Sequence, residues 1–188
     1  MKGRYSVMKK ITALFLAMLL TLSLAGGAFA AGETFTTRYF TLELPEGWII
    51  DTEDLEDESE EGLEVLGYFG GPEETALEAA ALLVYYDELK DFSSWSASEE
   101  EIEEYKEILM EEYEEDDPEF LGTLMAGSIP FILIRCTDED GDYLYADTVT
   151  NGNSIQFEAY LTDGENFFPM TDETIEQFKT ILATFKPV

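Results

Sequence analysis

From residue 129 to 162 the chain runs as three apolar-rich stretches separated by two turn signals, and this pattern constrains the fold more than any other. Residues 129–136, 142–150 and 154–162 read as strands bounded by Gly, Asp and Asn. Asn151-Gly152 joins the last two as a two-residue hairpin, because both residues tolerate the positive φ angles such a turn needs. That loop pairs Thr150 with Asn153, and therefore Tyr145 with Glu158 and Ala146 with Phe157. The first turn is less determined. A two-residue Asp140-Gly141 loop would set Arg135 opposite Ala146 on the apolar face. A three-residue Glu139-Asp140-Gly141 loop, with the glycine left-handed, shifts the register by one. Cys136 then aligns with Leu144 and Ala159, Ile134 with Ala146 and Phe157, and Ile132 with Thr148 and Ile155. Arg135, Tyr145 and Glu158 share the other face, followed by Leu133, Asp147 and Gln156. The three-residue loop is the expectation, since it keeps a charge off the apolar face.

Upstream, Phe40, Leu42 and Leu44 alternate with Thr41 and Glu43 as a half-buried strand that Pro45-Glu46-Gly47 ends. Residues 63–69 form a second short strand closed by Gly70-Gly71-Pro72. Residues 80–86, apolar throughout, suit a strand buried on both faces. Ser98 and Glu101 have the spacing of a capping box. Ile102, Tyr105, Leu109 and Tyr113 follow at helical intervals, and Asp117-Pro118 ends the helix. Its exposed face is almost all Glu. A last helix, capped by Thr171 or Asp172, turns Ile175, Phe178 and Leu182 inward, and Phe185 extends that contact. The expected class is α+β: an antiparallel β-sheet with a C-terminal strand meander, packed by a mid-chain acidic helix and a C-terminal helix as an α/β/α sandwich.

Charge divides the chain. Residues 1–30 hold four bases and no acid, so residues 31–188 carry all 42 acids against six bases, a net charge of −36. Lys9-Lys10, an apolar run from Ile11 to Leu24 and Ala28-Phe29-Ala30 have the layout of a signal peptide. Met8 is an alternative start. The run is short for a membrane span, and no Cys follows it to take a lipid. The reading is a 1–30 signal peptide cleaved near Ala30, then one domain over 31–188. That domain is secreted or extracytoplasmic, with no stable membrane anchor after cleavage. Such an acidic body is repelled by phosphate backbones, which excludes nucleic acid as a partner. A basic protein or a cell-envelope component suits it better. With no His and one Cys, no Ser-His-Asp triad, histidine metal ligand or internal disulfide can form.

The order of these pieces resembles the PsbP-like fold, shared by that extrinsic photosystem subunit, the Ran-binding Mog-type proteins and many exported bacterial proteins. The residues that carry the resemblance are Phe40-Thr41-Leu42-Glu43-Leu44-Pro45-Glu46-Gly47-Trp48, the acidic mid-chain helix, and Gly127-Ser128-Ile129-Pro130 leading into the meander. The ending Ile181-Leu182-Ala183-Thr184-Phe185 completes it. The resemblance implies an antiparallel sheet with helices on both faces and a binding or accessory role without shared catalytic residues.

Three groups of residues are candidates for chemistry. Tyr143, Tyr145 and Tyr160, with Glu158 and Arg135 beside them, would form a ligand platform if exposed, or core if a helix covers them. Asp138, Asp140 and Asp142 around Gly141 could converge on calcium. The twelfth position counted from Asp138 is Val149, which offers no oxygen, so an acidic hairpin turn is the alternative and no cofactor is expected. Cys136 reads as a small buried core residue. The leading functional reading is an exported non-catalytic binding or accessory module. Behind it stand an acidic cation-binding surface protein and a small hydrolase using a carboxylate pair, which a cleft holding two acids and Trp48 or Trp95 would favour.

Overall fold

The computed structural model describes residues 31–53, 55, 62–73, 76–137 and 141–188. The expected signal peptide, Asp138 and Asp140 lie outside the described residues. Strand β1 (Ala31–Thr36) pairs with β2 (Phe40–Pro45), and β2 with a short C-terminal strand that forms the third member of a small sheet. The large antiparallel sheet contains β3 (Ile49–Asp51), β4 (Leu63–Gly70), β5 (Ala76–Tyr85), β6 (Glu119–Ala126), β7 (Ile129–Thr137), β8 (Asp142–Thr150) and β9 (Asn153–Thr162). Its order is β3-β4-β5-β9-β8-β7-β6, and β10 (Phe167–Phe168) adds to β9. Helix α1 (Glu99–Glu112) lies between β5 and β6 in the chain, and α2 (Asp172–Leu182) precedes β11 (Lys186–Pro187), the C-terminal strand of the small sheet. The expected α+β class with helices on both sheet faces is the observed one.

One sheet face carries the main core. Phe131, Leu133, Leu144, Ala146, Phe157 and Ala159 meet Ile175, Phe178 and Leu182 of α2 and Phe35, Phe40 and Leu42 of the small sheet. Aromatic rings knit the layers together: Phe40 lies 5.4 Å from Phe157, and Phe131 lies 5.0 Å from Phe185. Thr171 rather than Asp172 caps α2, its hydroxyl accepting from the Thr174 N–H at 3.1 Å. The opposite sheet face carries α1. Tyr105 and Leu109 pack there against Ile132, Ile134, Cys136, Tyr143, Tyr145 and Val149. The capping box forms as expected: Ser98 N–H donates to Glu101 Oε2 at 2.7 Å, and Glu101 N–H to Ser98 Oγ at 3.3 Å. The helix ends at Glu112, earlier than the Asp117-Pro118 stop. Glu114–Asp116 tightens into a 3-10 turn, and Asp117 takes a left-handed φ of 45°.

The β8–β9 hairpin has the expected register, with Tyr145 opposite Glu158 and Asn151 and Gly152 at φ 51° and 75°. The β7–β8 register is a correction. Cys136 faces Tyr143, Arg135 faces Leu144 and Leu133 faces Ala146, so the connection spans residues 138–141. This one-residue difference turns every β7 side chain to the face opposite to that expected. Arg135 therefore sits on the main-core side, away from the tyrosines. Its charge is tolerated because it stands near the strand end, with a side chain 35% exposed, and pairs with Glu119 directly opposite on β6. Strand β6 was not anticipated in the sequence and supplies that counter-charge. β7 is apolar at consecutive positions, so its pattern carries no face preference of its own.

Candidate functional site

On the helix-bearing face, cross-strand pairing sets side chains in two rows. One row runs Ile49, Gly70, Glu78, Tyr160, Tyr143, Cys136 from β3 to β7. The next runs Asp51, Tyr68, Ala80, Glu158, Tyr145, Ile134. Residues directly opposite on antiparallel strands share a face, so each row is a continuous strip of surface.

Helix α1 covers the inner end of both rows. Tyr145 is fully buried, with the Tyr113 ring 4.5 Å away, and Tyr143 is buried with its hydroxyl donating to Asp116 Oδ2 at 2.9 Å. Burial pushes the phenol pKa of both far above its ordinary value. For these two tyrosines the core alternative is the one realised, and Arg135 lies on the other face. Tyr160 and Glu158 stand at the edge of the helix-covered zone. Tyr160 is half-buried, 5.6 Å from the Tyr143 ring and 5.1 Å from Phe167, and its hydroxyl donates to Glu158 Oε2 at 3.4 Å. Burial pushes the Glu158 carboxyl up from its ordinary value, and that hydrogen bond partly opposes it.

Among the described residues the outer end of the rows is uncovered. A trough of 420 Å³ lies there, lined by Ile49, Asp51, Tyr68, Glu78, Ala80 and Tyr160 together with backbone of β4 and β5. Gly70 and Ala80 make the depression, because each is the smallest side chain of its row. Gly70 also leaves room for Glu78: a Cβ there would sit 3.0 Å from Glu78 Cγ. Ile49 is 65% exposed and Tyr68 36%. Asp51 and Glu78 are the charged groups of the lining, and both are acids. The six bases of residues 31–188 are all engaged elsewhere, with Glu64, Asp87, Glu103, Glu119, Glu176 and Glu43.

Beneath α1 lies a second polar feature that sequence reasoning placed on a strand and otherwise passed over. Asp147 is fully buried, accepting from Tyr105 Oη at 2.5 Å, Tyr145 Oη at 3.1 Å and Ser154 Oγ. Burial lifts its pKa to about 6, and the hydrogen bonds from Ser154, Tyr105, Tyr145 and Gln156 hold it from rising further. Gln156 also donates to Tyr86 Oη at 3.2 Å, which in turn donates to Glu112 at 3.1 Å. The tie between Tyr105 and Asp147 fixes α1 to β8. No pattern in the sequence signals it, because the partners are 42 residues apart.

Of the calcium candidates, Asp142 is described. Its Oδ1 accepts from Thr137 Oγ1 at 2.9 Å and its Oδ2 from Met170 N–H at 3.3 Å. Among the described residues no group of three ligating side chains converges on one point. Cys136 is in no disulfide and is fully buried, as expected, although its neighbour across the strand is Tyr143 rather than Leu144. Trp48 is buried in the main core and Trp95 packs against it, its Nε1 donating to Thr148 Oγ1 at 3.0 Å. Neither lines the trough. Among the described residues no helix is long and apolar enough to cross a membrane.

No protein-family profile matches the chain, and no curated protein does. Among solved structures the chain is similar to the solution structure of cyanobacterial PsbP (CyanoP) from Synechocystis sp. PCC 6803. The identity is 14% over 87% of this chain and 96% of that one, with a TM-score of 0.49.

Proposed function

We propose that the protein is an extracytoplasmic, non-catalytic binding module that holds its partner in the open trough over β3, β4, β5 and β9. The observation that carries this reading is the half-covered sheet face. Exposed aromatic and aliphatic side chains surround a floor of Gly70 and Ala80, at a volume within the ~300–1,000 Å³ range of ligand clefts. The reading is tested with a neutral aromatic probe. Indole titrated into ¹⁵N-labelled protein should shift the amides of Ile49, Tyr68 and Tyr160, and Ala80→Trp should abolish those shifts. Shifts scattered over the surface, or unchanged in Ala80→Trp, would remove the trough as the site.

Asp51 and Glu78 in one trough are the observation that keeps a carboxylate-pair hydrolase as a second reading. Such an enzyme would release nitrophenol from aryl glycosides and lose that activity in Glu78→Gln.

A further inference from the structure

We infer that the trough accepts an extended basic segment of another protein, lying across the strands with basic residues at positions i and i+4 and an apolar residue at i+2. This rests on the reading of the trough as the binding site and names the chemistry of its occupant. Charge complementarity sets the sign. Asp51 and Glu78 line the trough, and Glu158 continues the row of Asp51, Tyr68 and Ala80. Every Lys and Arg of residues 31–188 is already paired with another acid, so a cation for these carboxylates comes from outside the domain. Among the described residues Glu158 has no ion-pair partner, and the hydrogen bond it accepts from Tyr160 is long at 3.4 Å. The net charge of −36 over residues 31–188 disfavours a second copy of this chain as occupant.

Spacing selects a polypeptide over a small cation. Asp51 on β3 and Glu158 on β9 are three strands apart, which at ~4.8 Å per strand is about 14 Å. Alternate side chains of an extended segment project to one side about 6.8 Å apart. Positions i and i+4 therefore span that distance, while one ammonium or guanidinium reaches only one end. The residue at i+2 falls midway, over Tyr68 and Ala80, where the row is apolar. The phenol faces of Tyr68 and Tyr160 add a cation–π surface for either basic head.

Three peptides test this on the full chain by isothermal calorimetry: Ac-Arg-Gly-Phe-Gly-Arg-NH₂, the same peptide with Glu at both ends, and Ac-Gly-Arg-Arg-Phe-Gly-NH₂, which keeps the charge but closes the spacing. N-acetylarginine amide serves as the small cation. The first peptide should bind at least tenfold more tightly than each of the other three ligands. Asp51→Asn and Glu158→Gln should each weaken it about fivefold, while Glu173→Gln, on α2, should leave it unchanged. Equal affinity for the two arginine peptides, equal affinity for the small cation, or an equal loss in Glu173→Gln would overturn the inference as diffuse attraction to an acidic surface. Indole shifts in the trough together with no peptide preference would reject this occupant and leave the binding-module reading standing. Loss of both would reject the trough itself. Circular dichroism of each variant confirms that it is folded before its affinity is read.

Discussion

Asp147 shows how much a single buried carboxylate decides. Its three hydroxyl donors replace the water it lost, the bases of residues 31–188 pair with other acids, and its pKa stands at about 6. The folded protein thus holds that proton more tightly than the unfolded chain, where a carboxyl titrates near ~4. The resulting stability is complete below the unfolded value and is lost as pH rises through about 6. The melting temperature should rise as pH is lowered from ~7.5 to ~5. Asp147→Asn should flatten that rise, and an unchanged slope in the variant would assign the pH dependence to other groups. Asp147→Ala leaves Tyr105, Tyr145 and Ser154 without their common acceptor. Urea unfolding should show a loss of about 1–3 kcal/mol, the cost of a buried polar group left unsatisfied. Cys136 offers a second check at this scale. With no exposure to solvent, it should react with a thiol reagent only after denaturant is added, and rapid labelling of the native protein would contradict its position under α1.

At the level of elements, α1 combines a well-specified start with a strained surface. Its capping box and its Tyr105–Leu109 stripe were readable because each rests on spacing within one turn or two. Its exposed side sets Glu100 against Glu104, Glu103 against Glu107, and Glu107 against Glu111, each like-charge pair costing ~0.2–0.5 kcal/mol. Lys106, tied to Glu103, is the one base of the helix, and its last turn carries none. The stack does not run on to Glu115, because the helix stops at Glu112 rather than at Asp117-Pro118. Glu111→Lys should therefore stabilise the protein by about 0.5 kcal/mol, relieving the pair with Glu107 and placing a cation at the negative helix end. Chemical denaturation at low salt measures it, and the gain should shrink in 0.5 M NaCl. The β7–β8 connection teaches the opposite lesson. Its register depended on an unforeseen strand, β6, whose Glu119 makes Arg135 acceptable on the main-core side.

Over the whole molecule the excess of acids acts as a diffuse repulsion. Raising NaCl to 0.15 M shortens the screening length to ~8 Å and should raise the melting temperature. Calcium chloride at matched ionic strength separates the cation-binding alternative from this general effect. The expected result is coincidence of the two curves. A larger, saturable response to calcium would place a specific site among Asp138, Asp140 and Asp142 or elsewhere. The incomplete coverage of one sheet face is also a property of the whole. A helix about 10–12 Å across cannot roof seven strands spaced ~4.8 Å apart. α1 roofs the side of β7 and β8, and the side of β3, β4 and β5 is left as the trough.

The sequence by itself determined the α+β class, the Asn151-Gly152 hairpin with its register, and both helices with their inward stripes. Each depends on residues close together in the chain, where periodicity, capping and turn chemistry act directly. Tertiary structure alone decided the face on which Arg135 lies, the covering of Tyr143 and Tyr145, the isolation of Asp147 and the joining of Asp51, Glu78 and Tyr160 around one trough. β5 and β7 are apolar at consecutive positions, so neither announces which side faces which helix. Gly70 and Ala80 look like ordinary strand filler until β3, β4, β5 and β9 bring their rows into line. These outcomes follow from pairing between residues tens of positions apart, and from the width of one helix against the width of the sheet it must cover.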